Sequence, residues 1–243
     1  MNIAGSVALV TGANRGIGRS FVDELLERGA AKVYAAVRRP ETVAEGEFTD
    51  PRVEVLRLDL LDEASVTDAA AHATDVTLLV NNAGITTGAN LLGADDLAGA
   101  RRELDTHFWG TLGVIRAFAP TLAANGGGAI VNINSALSWF STNGANGYAV
   151  AKAAEWAMTN GVRLELVGQG TLVQGVHLGA ADTDMMAGYD GPKITPRFVA
   201  AASLDGVEAG AIEVLADDWS RLVKASLSKD PSEFYAEALA PRA

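Results

Sequence analysis

Three side chains in this sequence stand where proton transfer could be done. Tyr148-Ala-Val-Ala-Lys152 places a phenol and an ammonium four residues apart. On a helix that spacing puts both on one face, where the cation favours the phenolate. An unperturbed tyrosine ionises near pH 10 and is a poor acid–base group at neutrality, so a cationic neighbour is expected to bring it into range. Ser135 lies thirteen residues earlier, just past the apolar run Ala129–Ile133. A second constellation, Thr11-Gly-Ala-Asn-Arg-Gly-Ile-Gly18, has glycines at 12, 16 and 18 after the apolar run Val7–Val10. Glycine permits positive φ and close backbone approach, and a helix opening near Gly16 aims free N–H groups at an anion; a pyrophosphate fits. The next apolar run ends in Arg38-Arg39-Pro40, with no Asp or Glu between Lys32 and Pro40. An acidic residue there selects a free ribose 2′-hydroxyl and an arginine a 2′-phosphate, so the phosphorylated dinucleotide NADPH is expected over NADH. Arg15 is within reach of the same phosphate.

Elements that alternate must carry these residues. Seven apolar runs read as strands: Val7–Val10, Lys32–Val37, Val53–Leu58, Val76–Val80, Ala129–Ile133, Leu172–His177 and Ala211–Leu215. Helical patterns separate them, including Ile17–Arg28, Asp95–Leu122 and Tyr148–Val167. Continuous apolar strands in β-then-α order predict an α/β, Rossmann-like, doubly wound fold with a mostly parallel seven-stranded sheet. No repeat and no linker interrupts the pattern, so residues 1–243 read as a single domain. Ser135 then falls at the carboxyl end of the fifth strand, where open α/β sheets bind ligands. The stretch 180–197, punctuated by Gly188, Gly191, Pro192 and Pro196, is expected to act as a lid.

Composition excludes other classes. Hydrophobic residues make up 49% of the 243, enough for a large core. The absence of cysteine and the presence of only three histidines argue against disulfides and a metal centre. A net charge of -11 is the wrong sign for a nucleic-acid binder. No run of about 18 apolar residues exists to span a membrane, and the N-terminal residues lack a signal-peptide pattern, so a cytoplasmic protein is expected. His72 and His177 read as helix-face and strand-end residues; the pairs Asp182/Asp184 and Asp217/Asp218 read as loop and helix-start carboxylates.

Taken together these residues resemble the short-chain dehydrogenase/reductase family. Thr11–Gly18 is similar to its TGxxxGIG turn, and Asn81-Asn-Ala-Gly84 to its NNAG motif. Ser135, Tyr148 and Lys152 match its catalytic serine and YxxxK in order and spacing. The resemblance implies that a nicotinamide carries hydride, that Tyr148 exchanges a proton with the substrate oxygen, and that Ser135 holds that oxygen. It implies that Lys152 binds the nicotinamide ribose and depresses the Tyr148 pKa. It places Gly12, Asn14, Arg15, Gly16, Ile17 and Gly18 along the pyrophosphate and Arg38 at the 2′-phosphate of NADP(H). Asp59 and Leu60 would border the adenine, Asn82, Ala83 and Gly84 the adenosine side, and Thr183 the carboxamide. Two positions depart from the family pattern. His107 stands where an asparagine is usual, at a helix kink whose water passes protons to the lysine; as a neighbour of Lys152 it is expected to stay neutral. Leu178-Gly179 replaces the usual Pro-Gly.

The family also implies two substrate walls, from loops 136–147 and 180–197. Leu137, Trp139, Phe140, Met185, Met186 and Tyr189 would line them, with Asn143 and Asn146 as polar points. Such apolar walls suit a largely apolar small-molecule ketone or aldehyde. The expected function is reversible carbonyl reduction with NADPH. The alternatives are reduction of another polarised bond such as C=N, or a non-catalytic dinucleotide-binding regulator. Helices 95–122 and 148–167 are implied to pair subunits in a homodimer or homotetramer.

Overall fold

The computed structural model describes residues 1–238; residues 239–243 of the expected domain lie outside the described residues. Seven strands form one sheet: β1 (Val7–Thr11), β2 (Lys32–Val37), β3 (Val53–Arg57), β4 (Leu78–Asn81), β5 (Gly128–Ile133), β6 (Thr171–His177) and β7 (Glu213–Leu215). Their order is β3-β2-β1-β4-β5-β6-β7 and every pairing is parallel, so the sheet is wholly rather than mostly parallel. The chain reverses its winding between β1 and β4, which opens a crevice at their carboxyl ends. Strands β1, β2, β4 and β5 are buried almost throughout, which is why they read as unbroken apolar runs rather than alternating ones. The last strand begins two residues later than the apolar run suggests, because the Ala211 N–H is taken by the Gly206 carbonyl at the end of a helix.

Helices α1 (Gly16–Glu27), α2 (Glu63–His72), α3 (Ala98–Leu104), α4 (Thr111–Ala124), α5 (Asn146–Leu166) and α6 (Pro196–Glu208) cover the two faces, followed by α7 (Asp218–Ser226) and α8 (Pro231–Ala238). On one face Phe21, Val22 and Leu25 of α1 pack with Val199, Leu204 and Val207 of α6 over Val10, Val33 and Val131. On the other, Phe118 and Leu122 of α4 pack with Val66 of α2 and Met158 and Val162 of α5 over Leu9, Leu79 and Ile130. The helix expected over Asp95–Leu122 is broken into α3 and α4 by a widened π-type turn, Asp105–Gly110. Wide turns of this kind re-aim side chains and recur at functional sites. Here the turn carries His107.

Phe118 is fully buried between α4 and the sheet. Phe118→Ala leaves a ring-sized void, and a loss of about 3–5 kcal/mol is expected from denaturant unfolding. A loss below about 1 kcal/mol would mean that this face of the core is loosely packed.

Candidate active site

The glycine turn is built from both neighbouring strands. Gly12 and Gly16 have φ of 65° and 54°, a region that side chains rarely adopt. Gly18 needs its missing Cβ for a different reason: one built there would lie 2.2 Å from the Gly12 carbonyl oxygen. The Thr11 hydroxyl accepts the Asn82 and Ala83 N–H groups at 3.0 Å each, and the Asn82 amide donates to the Thr11 carbonyl at 2.9 Å. The end of β4 thus braces the turn after β1. Helix α1 begins with no side-chain cap and no acidic residue in its first turn, which leaves its N–H groups and positive dipole end open to an anion. Arg38 and Arg39 are exposed at the end of β2. These features fit a phosphorylated dinucleotide. Arg15 is exposed and pairs with Asp184 at 3.3 Å, so the turn and the 180–197 segment touch across the crevice. Thr183 closes the same gap, 3.0 Å from a Cβ built at Gly16. Asp59 accepts from the Leu61 N–H at 3.1 Å, and Leu60 lies against Gly110.

Ser135, Tyr148, Lys152 and His107 come together at the carboxyl end of β5. Ser135 caps a short 3-10 turn, Ala136–Ser138, accepting the Leu137 N–H at 3.1 Å. Its carbonyl is held by His177 Nδ1 at 3.0 Å from the end of β6. Tyr148 and Lys152 lie one turn apart on α5, as the spacing predicts, with the ammonium 5.7 Å from the phenol ring centre. Lys152 is buried; its Nζ donates to the Ile133 carbonyl at 2.7 Å and to Glu155 Oε2 at 2.6 Å. Of three N–H groups, one remains to meet a ligand hydroxyl. Glu155, which sequence reasoning passed over, is equally buried. The available signal was its position three residues after Lys152 on the inward face of a long helix.

His107 packs edge-on to Tyr148 with ring centres 5.2 Å apart, and its ring occupies the space a Gly84 side chain would need. Its Nε2 lies 2.8 Å from the Ile85 carbonyl and 3.3 Å from the Ile85 N–H, so it donates to the first or accepts from the second according to its tautomer. Nδ1 has no hydrogen-bond partner among the described residues and lies 3.8 Å from Glu155 Oε2. Burial first, and the Lys152 charge second, hold the imidazole well below its ordinary value, so it is neutral as expected. The expected depression of Tyr148 is not the net result. Burial pushes the phenol up; Lys152 and Ser135 pull it down, Glu155 and Glu103 push it further up, and it ends above its ordinary value. The phenol therefore keeps its proton at neutral pH.

The expected substrate walls are only partly free. Trp139 stacks on His177 at 3.9 Å and meets Trp156 edge-on. Phe140 packs with Trp219 and Phe234, and the Tyr235 hydroxyl accepts the Ser141 N–H at 3.1 Å, so α8 backs this loop. Asn146 is bonded to Ser141 in the same loop and to Asn90 in the segment between β4 and α3. Leu137, Trp139, Phe140, Asn143, Met185, Met186 and Tyr189 are all half-buried or exposed. The 180–197 segment is pinned at its base, Asp182 N–H to the Ile194 carbonyl at 2.9 Å and Ile194 N–H to the Ala180 carbonyl at 2.9 Å. Asp217 caps α7 and accepts the Gly179 N–H at 2.7 Å, and His72 is an exposed partner of Glu54. Among the described residues no group of three His, Cys, Asp or Glu could hold a metal ion.

Burial lowers His177 to about 4, against an unfolded value near 6.5. Above pH 6.5 both states are neutral; below it the unfolded chain takes up a proton that the folded chain refuses until about pH 4. Stability is therefore expected to fall as pH is lowered through that window, by about 1.4 kcal/mol per pH unit for each such histidine. His107 acts in the same direction. Urea midpoints against pH check this: His177→Gln flattens the slope, and an unchanged slope would contradict the assignment.

Comparison with known proteins shows the family. The profile of the family described as short chain dehydrogenase matches residues 6–192. The 3-oxoacyl-acyl-carrier-protein reductase FabG of Vibrio harveyi is 30% identical over 216 residues, 87% of this chain and 86% of that protein. The 11-beta-hydroxysteroid dehydrogenase A of Sesamum indicum is 36% identical over 63% of this chain, which spans only 46% of that protein. A crystal structure of a short chain dehydrogenase from Burkholderia cenocepacia, in complex with NADP, is 39% identical, covers 99% of this chain and 100% of that one, and superposes with a TM-score of 0.92. Among the described residues no helix is long and apolar enough to cross a membrane. With its parallel sheet, glycine turn and Ser–Tyr–Lys cluster, the chain belongs to the short-chain dehydrogenase/reductase family of oxidoreductases.

Proposed function

We propose that this protein is an NADP-dependent carbonyl reductase, a single catalytic domain that also runs in reverse as an alcohol dehydrogenase. The observation that carries the reading is the convergence of Tyr148, Ser135 and Lys152 at the end of β5, with the phenol kept protonated by burial. Bound nicotinamide supplies the hydride. The chain's own residues do the rest. Tyr148 gives its proton to the substrate oxygen as charge develops there. Ser135 donates its single hydroxyl hydrogen to that oxygen. Lys152 uses its remaining N–H on the nicotinamide ribose and stabilises the phenolate by its charge. In the reverse direction the same phenolate removes the alcohol proton.

Gly12, Asn14, Arg15, Gly16, Ile17 and Gly18 hold the pyrophosphate against the start of α1. Arg38 meets the 2′-phosphate, Asp59 and Leu60 flank the adenine, Asn82 to Gly84 brace the adenosine side, and Thr183 faces the carboxamide. The NADP complex of the Burkholderia cenocepacia relative supports this cofactor. Leu137, Met185, Met186 and Tyr189, with Asn143 at the rim, form an apolar cleft for a ketone or aldehyde. The two curated relatives named above, a 3-oxoacyl reductase and a hydroxysteroid dehydrogenase, support an oxidised or reduced carbon–oxygen bond as the reacting group. Exposed Trp109, Val150, Leu164 and Val167, on the π-type turn and the long α5 and just beyond it, offer faces on which a homodimer or homotetramer forms.

Tyr148→Phe removes the proton donor and keeps the ring against His107. Turnover of NADPH with a panel of aryl ketones and aldehydes is expected to fall by about 10²–10⁴-fold while NADPH still quenches protein fluorescence. Turnover close to that of the parent would remove Tyr148 from the chemistry.

Cofactor choice is a separate test. Arg38 is exposed at the end of β2 and a guanidinium suits a phosphate, so kcat/KM is expected to favour NADPH over NADH, and Arg38→Asp to erase or reverse that preference. Equal use of both cofactors by the parent would overturn the role given to the end of β2.

A further inference from the structure

One buried charge has no part in the reaction as derived above. Glu155 is fully internal on α5, between Lys152 on its own helix and His107 on the Asp105–Gly110 turn. Its Oε2 accepts from Lys152 Nζ at 2.6 Å and lies 3.8 Å from the unpartnered His107 Nδ1. Its backbone carbonyl accepts the Thr159 hydroxyl at 2.8 Å, and that hydroxyl accepts from the Asn132 amide at 2.9 Å, so β5 fixes this turn of the helix. A carboxylate is costly to bury without a cationic partner, and a lysine buried alone gives up its proton.

We propose that Glu155 is a positioning residue of the reaction: as the buried counter-charge of Lys152 it keeps that lysine a cation against the end of β5, and so sets the upper pH limit at which Tyr148 can donate its proton. The proposal rests on the oxidoreductase reading for its kinetic part only.

The charges facing this pair give the sign. Burial pushes Lys152 down, and the Glu155 charge and hydrogen bond, with Tyr148, more than restore it. Burial pushes Glu155 up, and Lys152 draws it back only in part, so the carboxyl ends above its ordinary value. Glu155 and, more weakly, Glu103 from α3 oppose ionisation of Tyr148. His107 is neutral, and His177, behind Ser135 on β6, is held down by burial with small contributions from Lys224 and Lys152. Among these groups Glu155 is the one that acts on both the lysine and the tyrosine from hydrogen-bonding distance of the first. Neutralising it lets burial strip the proton from Lys152 at lower pH and lets Tyr148 ionise at lower pH. Reduction as derived above needs the phenol protonated and the Lys152 charge in place, so loss of either proton ends it and the alkaline limit moves downward.

The test has two readouts. The first is kcat/KM for NADPH-dependent reduction across neutral and alkaline pH, in the parent, Glu155→Gln and Glu155→Asp. The alkaline limb is expected about one to three pH units lower in Glu155→Gln, the usual effect of losing a charge this close, with most of the shift recovered in Glu155→Asp. A uniform loss at every pH, with the limb unmoved, overturns the proposal and leaves Glu155 a packing residue. The second readout needs no activity: thermal unfolding of Lys152→Met, Glu155→Gln and the double variant. Each single change strands the other group in the core, so the double variant is expected to lose less than the two singles together. Additive losses overturn the counter-charge. If the parent reduces no carbonyl compound, the function proposed above falls, and the thermal comparison alone decides the ion pair.

Discussion

The structure turns on one buried ammonium. Lys152 ties α5 to the last carbonyl of β5 and is matched by a carboxylate one turn further along the same helix. An ammonium in this setting cannot drift: every displacement breaks a short bond in a region closed to water. Tyr148 is carried on the same helix, so the position of the phenol relative to the sheet is set by where the lysine is anchored. Ser135 is placed from the other side, two residues beyond the carbonyl that Lys152 holds. Helix and strand are thus registered to each other by a polar contact, while apolar packing supplies the bulk of the stabilisation.

The rest of the fold brings four strand ends to that point. β1 delivers the glycine turn, β4 braces it through Asn82 and the Thr11 hydroxyl, β5 delivers Ser135, and β6 backs Ser135 with His177. A parallel sheet makes this possible because all its carboxyl ends face the same way. The π-type turn adds His107 from the helical layer, pressed against Gly84 and Tyr148. Three polar layers, from β4, β5 and the helices, therefore meet without a metal ligand set among the described residues.

Most of the scaffold was legible because its signals are local. Unbroken apolar runs gave seven strands to within about two residues, and glycine spacing located the turn after β1. Tyr148 and Lys152 were legible because four-residue spacing is enough to pair side chains on a helix. What escaped depends on long-range packing. Whether Trp139 and Phe140 face a ligand or the interior is decided by His177, Trp219 and Phe234, which lie far away in sequence. The net effect on Tyr148 could not be read from Lys152 alone, since burial and Glu155 act against it. Glu155 itself looked like any other charge on a long helix, because nothing local distinguishes an inward carboxylate from a solvated one.

The wide turn at Asp105–Gly110 has a consequence for phase. Glu103 and Leu122 both face inward although they are 19 residues apart, and five turns of regular helix occupy 18 residues. The turn absorbs the nineteenth. A strictly regular helix through this stretch would rotate one end by about 100° relative to the other, turning either Glu103 from the loop it bonds or Phe118 and Leu122 from the sheet. Removing one residue inside the turn would keep both flanks in phase and withdraw only the bulge that presents His107. Removing one from the regular turns that follow would rotate the core face itself. The single place where this long helical stretch can change length without turning over is thus the place where it reaches the active site.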